Sequence, residues 1–233
     1  MILATDDDFV VVCKPAGLPV IPGRDGGPSL WKQLEAERGE RLWVCHRLDQ
    51  ETTGVVVFAR NAKAHRAINL AFEHHAVDKR YLAIVVGHPD PPAGEIDAAL
   101  HPARKGKMRL ALPDEPGALP SRTRYETRQA GTIDGVALAL VALAPQTGRQ
   151  HQLRVHLRSR GWPILFDALY GSGLQKAAIA VAAPRIERPR QLLHAAQLRV
   201  ILDGEQRSWQ APWPEDLRTL AAALGADELA IDR

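Results

Sequence analysis

The sequence predicts an α+β fold, a mixed and largely antiparallel sheet flanked by helices and loops. Three observations lead there. Short β-branched runs outnumber helical stretches, the two kinds do not alternate as a doubly wound parallel sheet requires, and no internal repeat or low-complexity linker interrupts them. Residues 9–12 and 54–59 are apolar runs bounded by Gly, Pro or charge and read as strands; 81–86, 123–127, 136–144, 192–202 and 207–210 read the same way. Ser29 can cap a helix over 30–38 that Gly39 stops, and Ala67, Leu70 and Ala71 recur at helical spacing within 62–77. Thr147 and Gln150 have the form of a capping box for a third helix that Gly161 and Pro163 end. A shorter helix, 214–224, stops at Gly225. Loops rich in Pro and Gly at 22–28, 87–94 and 113–120 look like surface connections, so the expectation is a single domain over 1–233.

Composition narrows the function classes. With 45% hydrophobic residues, 24% charged and a mean hydropathy of -0.20, the chain has the make-up of a globular protein. No run approaches the length of a membrane helix, and the opening residues do not form a basic-then-apolar signal, so neither a membrane partner nor secretion is expected. Cys13 and Cys45 lie in apolar runs without C-x-x-C spacing, which reads as buried free thiols in a reducing, cytoplasmic compartment.

The net charge of +3 is too small to establish a polyanionic partner, but its distribution is informative. Seven basic residues (Arg104, Lys105, Lys107, Arg109, Arg122, Arg124, Arg128) stand against three acids between His101 and Arg128, and the segment from Thr147 to Gly161 holds four arginines, two histidines and no acid. The tail from Pro214 is acidic. Such segregation favours a polyanion; solvated arginines, which number 23 in this chain, are the equal alternative.

Most enzyme signatures are missing. There is no G-x-x-x-x-G-K-[ST] phosphate loop, and Gly171-Ser172-Gly173 is not a nucleophile elbow. His151 and His156 diverge by five helical positions and His74 and His75 are adjacent, so no metal site is expected; phosphate contacts or local hydrogen bonds suit these histidines better. What remains is His46-Arg47-Leu48-Asp49, followed by Thr52-Thr53-Gly54 at the start of a strand. Asp49 stands where a turn feeds a strand. From spacing alone, a carboxylate accepting turn amides is the larger share.

Further residues change that balance. His46-Arg47-Leu48-Asp49-x-x-Thr52-Thr53-Gly54 resembles the H-R-L-D-x-x-T-S-G signature of the RluA family of RNA pseudouridine synthases. Lys14-Pro15-Ala16-Gly17-Leu18 is similar to the family's K-P-x-G-x segment, and Lys79-Arg80-Tyr81-Leu82-Ala83 with Gly87 to its K-x-Y-x-A-x-x-x-G strand. The run from Thr147 through Gln152-Leu153-Arg154-Val155-His156 to Gly161, Pro163, Ile164, Asp167 and Tyr170 resembles T-G-R-x-H-Q-L-R-V-H-x-x-x-x-G-x-P-I-x-G-D-x-x-Y, and Leu193-His194-Ala195 its L-H-A.

The resemblance implies the pseudouridine synthase fold with a central cleft, and isomerisation of uridine to pseudouridine in structured RNA without a cofactor. It maps the nucleophile onto Asp49, with Arg154 as the guanidinium that holds it ionised. Tyr81 matches the residue that stacks on the target base, and Arg47 the one that fills the space left by the flipped nucleotide. His46, Arg149 and His151 are candidates for RNA contact or for orienting these groups. At i, i+3 and i+7, His151, Arg154 and Arg158 would share one helical face. Thr53 stands for the usual Ser, and Phe166 for the usual Gly before Asp167, a departure that puts the loop geometry there in question.

No amino-terminal S4-type RNA-binding module fits before Phe9, and Pro22-Gly23-Arg24 resembles the stand-alone subgroup acting on rRNA or tRNA stem-loops; a monomer is expected. The stretch 104–109 suits a groove for such a loop or an ordinary solvated loop equally. Two rivals remain: a noncatalytic RNA-binding protein that retains the fold, and an aspartate-dependent hydrolase of free nucleosides.

Overall fold

In a computed structural model the described residues are 1–23, 26–171 and 173–226. The resemblance at Arg24 and the acidic residues Asp227, Glu228 and Asp232 therefore lie outside them. In chain order the elements are β1 (Ile2–Thr5), β2 (Phe9–Lys14), α1 (Leu30–Arg38), β3 (Trp43–Val44), β4 (Thr53–Ala59), α2 (Ala62–Glu73), β5 (Val77–Val86), β6 (Ala93–Asp97), β7 (Leu100–Pro102), β8 (Met108–Leu110), β9 (Arg122–Ile133), β10 (Val136–Pro145), α3 (Gln152–Ser159), α4 (Lys176–Ala182), β11 (Leu193–Leu202), β12 (Glu205–Gln210) and α5 (Glu215–Ala223). The fold is α+β with mostly antiparallel strand pairs. By contacts the chain divides into two compact units, one of Met1–Lys79 with His194–Pro212, the other of Arg80–Leu193 with the chain from Trp213 on.

In the first unit β2 lies between β1 and β4, both antiparallel to it; β4 also pairs with β3, and in parallel with β11 at His194 and Ala195, while β12 pairs with β11. Both faces of this sheet are covered. Phe9, Val11, Val55, Val57 and Ala59 pack with Ala64 and Ile68 of α2 and with Leu198, Val200 and Trp209. Val10, Val12, Val56 and Phe58 face the other way, against Leu30 and Leu34 of α1 with Val20 and Leu42. Two-sided burial is why β2 and β4 read as unbroken apolar runs instead of alternating ones. At about 1.5–3 kcal/mol per fully buried aliphatic side chain, these two layers are the main source of the unit's stability.

In the second unit the order is β5-β10-β9-β6, all antiparallel, and β7 and β8 form a separate hairpin. Leu153 and Leu157 of α3 lie on Ala83, Val85, Ala139, Val141 and Leu143 of the sheet.

Helix α1 has the predicted bounds: the Ser29 hydroxyl accepts the Lys32 amide and Gly39 leaves in the left-handed region at φ 64°. Helix α2 stops at Glu73, short of the predicted Val77, because His75 turns left-handed at φ 55° and Val77 opens β5. The capping box at Thr147 is not formed. Helix α3 begins at Gln152, after His151 in the left-handed region at φ 54°, which no helix interior accommodates. Its other end is as predicted. Gly161 at φ 82° and Trp162 donate their amides to the carbonyls of Arg158 and Leu157, the Schellman pattern.

Candidate active site

In the first unit the segment from Cys45 to Thr52 joins the two-residue strand β3 to β4 and carries His46, Arg47 and Asp49. Three remote contacts shape it. The first is Lys14, fully buried, whose ammonium donates to the carbonyls of Pro15 at 2.8 Å, Leu18 at 2.7 Å and Gln50 at 2.7 Å. The Gln50 carbonyl also accepts the Gly17 amide at 3.1 Å, and the Gln50 side chain returns a bond to the Gly17 carbonyl at 3.0 Å. The K-P-x-G segment thus clamps the turn, which closes by a bond from the Thr52 amide to the Asp49 carbonyl at 3.1 Å.

His46 supplies the second contact. Strand β3 is too short to pair with all of β4, and the ring Nε2 of His46 accepts the next amide, Val57, at 3.0 Å. Burial, with repulsion from nearby Lys79, pushes the His46 pKa down to about 4, so the ring is neutral and Nε2 is available as an acceptor. Burial likewise lowers Lys79 to about 8. The third contact is at Gly54, with φ at 116°. A Cβ there would lie 2.1 Å from the Ala195 carbonyl oxygen, so only glycine lets β11 approach. Beside it the Thr53 hydroxyl meets Nδ1 of the fully buried His194 at 2.8 Å. The Thr-Gly pair and the Leu-His-Ala strand are two halves of one contact. Arg47 is exposed and makes no side-chain hydrogen bond or ion pair with any described residue.

In the second unit Tyr81 sits on β5 opposite Leu143, partly buried against the cluster under α3. Arg154 is buried, its Nε and Nη2 donating to the two oxygens of Asp167 at 2.8 and 2.9 Å. Asp167, itself buried, also accepts the amides of Leu169 and Tyr170 at 3.0 Å each. The Tyr170 ring lies 4.9 Å from the Arg154 guanidinium, and its hydroxyl meets His151 Nδ1 at 2.7 Å and the Met108 amide at 2.8 Å. Arg158 donates to the Tyr170 carbonyl at 2.5 Å. His151, Arg154 and Arg158 therefore do converge, although His151 lies outside the helix and Arg158 is exposed.

No side chain caps α3; Gln152, its first residue, instead orders the segment that precedes it. Its side-chain oxygen accepts the Thr147 hydroxyl at 2.7 Å and the Arg149 amide at 3.0 Å, and its nitrogen donates to the Arg122 carbonyl and the Thr123 hydroxyl at 3.0 Å each. Arg149 is exposed and donates to the Pro120 carbonyl at 3.3 Å. His156, fully buried, satisfies local bonds to Thr123 at 3.0 Å and the Ala98 carbonyl at 2.9 Å. Phe166 answers the question posed by its sequence: at φ 62° it adopts the left-handed conformation that glycine takes without strain, and the next residue, Asp167, still reaches Arg154.

Lys14, Asp167, Tyr170 and His194 hold this frame together although none is a candidate from sequence; a polar side chain in an otherwise apolar or turn-rich run is their only signal there. Among the described residues no group of three or more His, Cys, Asp or Glu is placed to hold a metal ion, and no helix is long and apolar enough to cross a membrane.

A fold with these motifs in this order defines a class, and comparison supports it: the family profile described as RNA pseudouridylate synthase matches residues 8–159, spanning Asp49, Tyr81 and Arg154. The chain belongs to the RNA pseudouridine synthase family. It is 35% identical to the dual-specificity RNA pseudouridine synthase RluA of Escherichia coli K12 over 216 residues, covering 91% of this chain and 92% of that one. It is 34% identical to the ribosomal large subunit pseudouridine synthase D of Nitrosomonas europaea over 96% of this chain, but spans only 64% of that relative's length. Among solved structures, human RNA pseudouridylate synthase domain containing 4 superposes with a TM-score of 0.75 at 32% identity, covering 96% of this chain and 92% of that one.

Proposed function

We propose that this chain isomerises uridine to pseudouridine within structured RNA, a stem-loop of rRNA or tRNA. The family match from residue 8 to 159 carries the reading, and the names of its relatives, dual-specificity and ribosomal large subunit synthases, support the substrate class. In the reaction the bond between ribose C1′ and uracil N1 breaks, the base turns, C1′ joins to C5, the C5 proton leaves and N1 takes up a proton, so atoms and charge balance as an isomerisation. Asp49 is the proposed nucleophile. The clamp that Lys14 places on its turn is the kind of preorganisation such a group needs. Arg154 is the proposed ion partner of the nucleophile, as the resemblance implies, and in this structure its guanidinium is held by Asp167. Tyr81 is the proposed stacking platform. Exposed Arg47 is proposed to occupy the place of the flipped nucleotide, and Arg149 and His151 to contact RNA. His46, neutral and bonded to β4, suits a positioning role better than a phosphate contact. A cytoplasmic location accords with the free thiols Cys13 and Cys45, the latter raised by burial to about 12.

The test maps pseudouridine at single-nucleotide level in total tRNA and rRNA treated with wild-type protein and with Asp49→Asn, which keeps the shape and removes the charge. A site that appears only with wild type is the expected result. Tight RNA binding without product in either sample would overturn the enzyme and favour a noncatalytic binder; conversion of free uridine instead would point to a nucleoside hydrolase.

A further inference from the structure

The basic segment between His101 and Arg128 resolves into two populations. Arg109 forms a two-pronged pair with Glu115, at 2.5 and 2.7 Å. Arg122 bridges Asp97 at 2.6 Å and Glu95 at 3.3 Å, Arg124 meets Glu95 at 3.2 Å, and Arg128 meets Glu126 at 3.1 Å. These four cations are matched by four carboxylates. The other three, Arg104, Lys105 and Lys107, all lie on the five-residue tip that joins β7 to β8. Each is exposed and makes no side-chain hydrogen bond or ion pair with any described residue.

The tip is held in shape. It closes through the Ala103 amide to the Lys107 carbonyl at 2.8 Å, and Gln150 donates to the Gly106 carbonyl at 3.5 Å. Immediately after Lys107, the Met108 amide binds the hydroxyl of Tyr170, whose ring lies against Arg154. Leu100 and Met108 pack with Val155 of α3 and with Tyr170 itself. A compact group of unneutralised cations is thus fixed to the frame that holds Arg154. Three like charges this close repel one another, and a polyanion relieves that repulsion by contacting all three.

We propose that the tip formed by Arg104, Lys105 and Lys107 is a grip for the RNA phosphate backbone, setting the register of the bound strand relative to Arg154. This rests on the functional reading above. A grip of three phosphate contacts makes a measurable prediction, because each contact neutralised by a cation adds about 0.7 to 0.9 to the slope of log affinity against log salt.

The experiment measures binding of a fluorescent RNA stem-loop with a uridine-containing loop, over about 50 to 200 mM salt. It uses wild-type protein, the triple variant Arg104→Gln, Lys105→Gln, Lys107→Gln, and the control Arg124→Gln, whose cation is already paired. Pseudouridine mapping on cellular RNA accompanies it. The expected result is a slope shallower by about 2 to 3 in the triple variant and unchanged in the control. An unchanged slope in the triple variant, with wild type still forming pseudouridine, overturns the grip alone. A shallower slope with no product from wild type overturns the proposed reaction and leaves the grip as an RNA-binding surface. Equal loss of slope in the control overturns the grip, since paired and unpaired cations would then act alike.

Discussion

At the residue scale, Phe166 shows how a departure from a family pattern can leave a site intact. A bulky residue in the left-handed region costs about 1–2 kcal/mol in local backbone energy, a cost glycine does not incur. Phe166 bears it while Asp167 keeps both bonds to Arg154. Two truncations at this position separate backbone strain from side-chain contact. Phe166→Gly should be more stable than Phe166→Ala by about 1 kcal/mol, the reverse of their usual order in regular structure, as read from urea midpoints. His46 has a different residue-scale consequence. Its folded pKa of about 4 lies below its ordinary 6.5, so its neutral form stabilises the fold fully above 6.5, and that contribution falls as pH drops toward 4. Fully buried His156 is shifted in the same direction, also mainly by burial. The urea midpoint should therefore decline from pH 6.5 to 5, before most carboxylates titrate, and less so in His46→Gln.

Besides long strand pairings and apolar layers, single buried polar groups tie elements together here. Lys14 ends β2, and its ammonium gathers three carbonyls, one of them on the turn after Asp49. Lys14→Met keeps the apolar stem and removes the charge, leaving those carbonyls without their donor. The Gln50 carbonyl keeps the Gly17 amide, so at about 1–3 kcal/mol for each of the other two carbonyls, about 2–6 kcal/mol of stability should be lost, measured by chemical denaturation. Any protein that remains folded should lose pseudouridine formation more than RNA binding, because the turn and not the basic surface is released. Helix α1 was legible to the residue from Ser29 and Gly39, since both signals lie next to the helix they delimit. Strands β3, β7 and β8, of two or three residues, are too short to show a period. Strand β6, which begins Ala-Gly beside prolines, reads as loop until Arg122 and Arg124 of β9 are seen pairing with its acids. Helix α3 starts four residues after the position that Thr147 predicts, for a similar reason. Gln152 draws its partners from Thr147 and from β9, some 30 residues earlier in the chain.

For the molecule as a whole, net charge is a poor guide and its pairing a good one. Each unit encloses its own apolar layers, and charged side chains within them are matched to partners, as with Arg190, which bonds Asp216 at 2.6 Å and so ties α5 to the chain ahead of β11. Other cations are exposed and have no carboxylate partner among the described residues. Arg47 in the first unit and the β7-β8 tip in the second are among them, and an RNA contact is proposed for each.

By itself the sequence determined the α+β class, the principal strands, the bounds of α1 and, through its ordered motifs, membership of a synthase family. These depend on residues close together in the chain or on short patterns kept in order. Tertiary structure decided which polar residues serve the frame and which face outward. Lys14 with Gln50, Thr53 with His194 and Arg154 with Asp167 are partners separated by tens of residues or by a loop, and the repulsion or rescue of a buried charge depends on what folding places beside it.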